Sequence, residues 1–149
     1  MVMSIFRKYF VFFGLVFLIC FIIFRLLPKP DFMKVKNDVS FEGVITDFDN
    51  SGRLHGFGIV RVQITKSNTK IFNAFQKEKV YPYNINNNNG EIYTYIPYNM
   101  KIGEIVRVNS KKDQIEYYEN NKFLYKEEIF LIDEEDRIEF IKKEKRLNN

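Results

Sequence analysis

Phe57–Ile64 reads FGIVRVQI, and its alternation decides the fold. Val60, Val62 and Ile64 fall on one side of an extended chain, Arg61 and Gln63 on the other. Successive side chains leave a pleated backbone on opposite faces, so a period of two marks a half-buried strand. The pattern recurs outward in both directions. FEGVITDF (Phe41–Phe48) precedes it across a turn at Asp49-Asn50-Ser51-Gly52, and KIFNAF (Lys70–Phe75) follows Lys66-Ser67-Asn68-Thr69.

Further on, the loop Ile85–Gly90 ends in Asn-Gly, a pair suited to positive φ in a tight turn. EIYTYI (Glu91–Ile96) puts Ile92, Thr94 and Ile96 on one face and Tyr93 and Tyr95 on the other, and Pro97 ends it. EIVRV (Glu104–Val108), QIEYY (Gln114–Tyr118) and Lys122–Tyr125 are joined by hairpin-length links, and IFLI (Ile129–Ile132) reads as a buried strand or the start of a helix. Acidic Asp133–Asp136, then Ile138 and Ile141, then basic Lys142–Arg146 complement a helix macrodipole and predict a C-terminal helix that packs on the sheet. The fold class is mainly β: about seven short strands in a small antiparallel sheet or barrel, with an OB-like barrel one option.

The chain opens differently. Tyr9–Phe24, YFVFFGLVFLICFIIF, carries no charge over sixteen residues. Arg25 can snorkel, and with Leu26 and Leu27 the segment reaches roughly 28 Å at about 1.5 Å per residue. That length predicts an N-terminal transmembrane helix in contact with membrane lipid through Tyr9–Leu27. A cleaved secretory signal is the rival, but small residues are not well placed for cleavage, and Cys20 follows Phe17-Leu18-Ile19 where a lipoprotein signal needs a small residue. Residues 1–27 are expected to form the tail and anchor, 28–39 a stalk broken by Pro28 and Pro30, and 40–149 the β domain.

Residues 1–30 hold four basic residues and no acidic one, so the remainder balances nineteen basic residues against nineteen acidic. The basic pI therefore belongs to the anchor's flanks. A neutral domain argues against a nucleic-acid partner, whose binding rests on neutralised phosphates. Basic residues on both flanks leave orientation open: the count after the span favours a cytoplasmic domain, while the short charged N-terminal tail resembles a signal anchor. The expected location is the cytoplasmic membrane, single-pass, with the domain on the extracytoplasmic side.

Cys20 is the only cysteine, and it lies in the apolar segment, so residues 28–149 can hold no disulfide and no thiolate nucleophile. His55 is the only histidine, which excludes any multi-histidine metal site within one chain, and a lone histidine beside a hairpin glycine reads as a solvated turn residue. Asp47–Gly52 matches the start of an EF-hand loop, yet position twelve holds Gly58 where a bidentate glutamate belongs, and the flanks read as strands. A hairpin turn is the better reading. No carboxylate pair is marked by spacing and no glycine-rich phosphate loop occurs, so no catalytic, cofactor-binding or metal residue is assigned and no cofactor is expected.

Eight of the nine tyrosines lie between Tyr81 and Tyr125. Tyr93, Tyr95 and Tyr117 are the candidates for an aromatic binding face, set against ordinary cross-strand packing. Phe41-Glu42-Gly43-Val44-Ile45, Leu54-His55-Gly56-Phe57 and Lys101-Ile102-Gly103-Glu104-Ile105-Val106 together resemble a group of small uncharacterised bacterial membrane proteins with one N-terminal span and a β-rich domain. That resemblance implies no activity. The expected function is a membrane-anchored, non-enzymatic binding or accessory module with a protein partner. The alternatives are an OB-like module stacking single-stranded nucleic acid in the cytoplasm, and a membrane-tethered hydrolase using scattered carboxylates.

Overall fold

The computed structural model describes residues 16–17, 34–35, 37–76 and 79–147. The chain divides into two compact units, Met1–Asp31 and Phe32–Asn149. Apart from Val16 and Phe17, the expected anchor lies outside the described residues, as does the stalk before Lys34. Among the described residues no helix is long and apolar enough to cross a membrane.

In the second unit, strands β1 (Ser40–Asn50), β2 (Phe57–Ser67), β3 (Ile71–Phe72), β4 (Phe75–Gln76), β5 (Lys79–Val80), β6 (Tyr83–Asn86), β7 (Asn89–Tyr95), β8 (Ile105–Asn109), β9 (Gln114–Glu119) and β10 (Lys122–Glu128) precede helix α1 (Glu135–Glu144). Eight strands form one antiparallel sheet in the order β10-β9-β8-β1-β2-β7-β6-β3, while β4 and β5 pair separately. The alternation in β2 is realised: Val60 faces Ile92 across the ladder, and Ile59 faces Tyr93. These opposite residues share a face, so the two parities of β2 serve two different cores.

The inner core gathers Phe41, Ile45, Val60, Val62, Ile85, Ile92, Val106, Val108, Ile115 and Tyr117 from strands spread across the sheet. The sheet is strongly curled around it. Thr94 on β7 donates a 3.0 Å hydrogen bond to Glu127 on β10, although four strands separate these two in the sheet order. The outer core is smaller, with Phe57, Ile59, Ala74, Val80, Tyr93 and Ile132 closed by Ile141 of α1. Burying an isoleucine fully is worth roughly 1.5–3 kcal/mol, and Ile45, Ile59, Ile85, Ile92, Ile115 and Ile141 are all inaccessible. Helix α1 carries Glu135 and Asp136 in its first turn and Lys142 and Lys143 in its last, as the macrodipole favours.

Several local expectations are corrected. KIFNAF splits into β3 and β4 around Asn73 and Ala74. The asparagine loop is tighter than expected, because Asn86 and Asn89 already pair and only Asn87 and Asn88 turn. Asn87 supplies the positive φ of 55°, while Gly90 lies inside β7 against Val62, where a Cβ would come within 2.8 Å of Val62 Cγ2. Ile129–Ile132 forms neither a strand of the sheet nor the start of a helix. Ile129 and Leu131 fill the inner core, and Phe130 and Ile132 make isolated bridges to Lys34 and Val80.

Candidate functional site

The expected aromatic face divides. Tyr93 and Tyr95 do share the outer face of β7, but Tyr93 is only 2 % exposed and lies in the outer core with Ile141 of the helix. Tyr95 is 45 % exposed and accepts a hydrogen bond from Arg137, whose guanidinium lies 4.9 Å from its ring and 5.0 Å from that of Phe57. Tyr117 points to the opposite, inner face, inaccessible and stacked on Tyr125 at 4.5 Å between centroids. The three side chains therefore present no common surface. Alternation predicts which side of the strand each takes, but it carries no information about the helix that covers one of those sides.

The polar centre of the molecule lies beside Tyr93, and a β-bulge builds it. Ile45 pairs with Val62, but the next pairing is Asp47 with Arg61, leaving Thr46 as an extra residue whose hydroxyl donates to Arg61 O. The bulge reverses the parity of β1, so that Ile45 faces inward and Asp47 and Asp49 face outward with Arg61. Arg61 Nη1 then lies 3.1 Å from Asp47 Oδ2, and Nη2 lies 2.6 Å from Asp49 Oδ2. Opposite Arg61 on β7 is Glu91, 1 % exposed, with Oε1 3.7 Å from Arg61 Nε. Tyr93 donates to Glu91 Oε2 at 3.2 Å, and burial together with the Glu91 carboxylate pushes its phenol pKa up.

The C-terminal tail fills this centre. Arg61 Nη2 donates to Glu144 O at 3.1 Å, and Glu91 Oε1 accepts from Arg146 N at 2.7 Å and from Leu147 N at 3.4 Å. Asn84 Nδ2 donates to Leu147 O at 3.0 Å. The Arg146 guanidinium reaches Asp47 at 3.1 Å and Asp49 at 3.8 Å, and Lys145 Nζ sits 4.5 Å from the centre of the Phe75 ring. Asp47 and Asp49 thus bind guanidinium groups. Among the described residues no group of three or more acidic, histidine or cysteine side chains is placed to hold a metal ion. His55 is an exposed turn residue with φ 52°.

A second polar group lies inside the curl. Glu104 is 5 % exposed, and its Oε2, Tyr117 OH and Tyr125 OH are buried without hydrogen-bond partners. Desolvation pushes Glu127 above the ordinary carboxyl range, while the bond from Thr94 pulls it partly back. Burial and the nearby Glu127 carboxylate push the Tyr117 and Tyr125 phenols up.

The sheet's two edges differ. β3 has two residues, whereas β10 has seven, and among the described residues no strand pairs with its outer side. Phe123 and Leu124 on β10 are 50 % and 37 % exposed. Lys101 in the β7–β8 loop pairs with Glu119 at the β9–β10 hairpin at 2.8 Å, and its neighbour Ile102 is exposed. No protein-family model, curated protein or solved structure matches the chain.

Proposed function

We propose that this chain is a membrane-anchored, non-enzymatic binding module whose β10 edge receives an extended segment of a protein partner. The supporting observation is that β10 is long, carries exposed Phe123 and Leu124, and among the described residues has no strand paired on its outer side. A sheet edge offers a row of unused amides and carbonyls, and side chains beside it select the partner. Lys122, Lys126 and Glu128 along the same strand guard it against indiscriminate pairing. Tyr9–Leu27 would serve as the lipid-embedded anchor of a single-pass protein in the cytoplasmic membrane, with the β domain on the extracytoplasmic side.

The test places a photoreactive phenylalanine analogue at Phe123 in the full chain and irradiates intact cells. A discrete protein adduct that disappears on Leu124→Glu, with the sheet's circular dichroism unchanged, is expected. No adduct from Phe123 or Lys126 in a correctly inserted chain would overturn the reading.

A further inference from the structure

Away from the β10 edge, the outer face of β2 and β7 grips residues 144–147 in the way a receptor grips a peptide. Three side chains read main chain: Arg61 and Asn84 donate to the carbonyls of Glu144 and Leu147, and Glu91 accepts the amides of Arg146 and Leu147. Two further features read side chains, with Asp47 and Asp49 on Arg146 and the Phe75 ring under Lys145. A latch that only fastened α1 would need none of this, since Ile138, Phe140 and Ile141 already pack apolar surface against the sheet. Buried charges are costly relative to apolar residues of the same size. Their retention here, at 8 % exposure for Arg61 and 1 % for Glu91, points to recognition.

The tail is also an incomplete occupant. Arg61 Nε is buried and makes no hydrogen bond, its ion-pair partner Glu91 Oε1 standing 3.7 Å away. Three carboxylates, Asp47, Asp49 and Glu91, face one guanidinium from the sheet, and Arg146 supplies only one more positive charge. Arg146 itself is 62 % exposed along its side chain, and residues 145–147 belong to no regular element. From Asp49 a groove of about 770 Å³ continues between the β1–β2 turn and α1, lined by Asp49, Arg53, Asp136, Glu139, Lys143 and Glu144. Acidic groups outnumber basic ones there as well.

We infer that this face is a peptide-binding site for a basic, extended segment of a partner protein, with a Lys-Arg-apolar sequence, and that the chain's own Lys145-Arg146-Leu147 occupies it in cis until displaced. An incoming segment richer in lysine or arginine would neutralise the remaining negative charge and continue along the acidic groove. Displacement would free α1, whose only fully buried residue is Ile141.

The experiment uses the full chain in detergent micelles and a fluorescent peptide of the chain's last seven residues, KEKRLNN. Arg146→Ala weakens the resident tail without touching the sheet side of the site. Fluorescence anisotropy is expected to show that the R146A chain binds the peptide at least tenfold more tightly than wild type. Replacing the peptide's arginine with alanine, or Asp47 and Asp49 of the receptor with asparagine, should abolish that gain. Cooperative melting of each variant keeps loss of binding distinct from loss of fold. No binding by a folded R146A chain, or binding indifferent to the peptide's arginine, would reduce the clasp to a structural latch. Self-association of the wild-type chain that R146A removes would place a second copy's tail in the site and overturn the partner reading. None of these outcomes bears on the β10 edge.

Discussion

Glu91 is the residue on which the outer face depends most. One oxygen accepts two tail amides and the other accepts the Tyr93 hydroxyl, while Arg61 Nε lies nearby. Glu91→Ala leaves the buried Tyr93 hydroxyl unpaired and strips the part-buried tail amides and Arg61 of their carboxylate, and removing one member of a buried pair costs about 3–5 kcal/mol. The low end applies, because Asp47 and Asp49 still hold the Arg61 guanidinium. Glu91→Gln keeps a carbonyl acceptor and should lose less than half as much, with urea unfolding as the measurement.

Glu127 makes the opposite case. Its carboxyl is pushed up by burial, near Tyr117 and Tyr125, with Thr94 donating to it from β7. A raised folded pKa stabilises the protonated form, so the contribution is present below the ordinary carboxyl range and fades as pH climbs through the folded value. Glu127→Gln preserves the acceptor for Thr94 and removes the charge. It should therefore melt higher than wild type at pH 7 and at the same temperature near pH 4; a lower melting temperature at pH 7 would contradict this account.

At the scale of elements, close approach of β1 and β2 explains an intolerance that alternation alone does not reveal. A Cβ on Gly58 would lie 2.2 Å from Asp49 O and 2.4 Å from Ile96 Cδ1, and the first of these is backbone and cannot swing away. Gly58→Ala should cost about 3 kcal/mol, the upper end for overpacking, read as a loss in thermal melting. Gly52→Ala, where no atom lies within 4 Å and φ is 62°, should cost only the left-handed strain of about 1–2 kcal/mol.

The same elements show what a single sequence could reveal. Phe57–Ile64 and Glu91–Ile96 are legible as strands because their two faces meet different neighbours: Val60, Val62, Ile64, Ile92 and Ile96 join the inner core, while Ile59 and Tyr93 join the outer one. Asn120 and Asn121, both with positive φ, are a turn signal that the hairpin obeys. Tyr83–Asn86 does alternate, with Tyr83 and Ile85 in the inner core and Asn84 donating to Leu147 O, but four residues directly after Pro82 are too short a run to mark a strand. The candidate site was less legible still. Asp47 and Asp49 resemble a cation loop by spacing, and only the extra residue at Thr46 turns them toward Arg61. A bulge leaves no mark in the hydrophobic pattern unless its partner strand is already known.

Across the whole molecule, buried phenols tie stability to alkaline pH. Tyr83 on β6, Tyr93 on β7, Tyr117 on β9 and Tyr125 on β10 all have their pKa raised chiefly by burial, Tyr83 to about 12. Two lie on either side of the sheet's centre, so no single edge can fray to release them all. In the unfolded chain each ionises near the ordinary value of 10.0. Above that pH the unfolded state therefore holds fewer protons than the folded one, and stability falls as pH rises. Counting only the deeply buried Tyr93 and Tyr117, the slope is about 3 kcal/mol per pH unit, against a typical total of about 5–15 kcal/mol for a domain. Unfolding should consequently precede ionisation of these phenols. Raising the pH from 9.5 should produce a sharp, simultaneous loss of sheet signal and rise in phenolate absorbance, and Tyr117→Phe should shift that transition upward in pH relative to its own stability at neutral pH. A gradual phenolate titration with the sheet signal intact would mean that hydroxide reaches the inner core without unfolding it, and that the curl between β7 and β10 opens on its own.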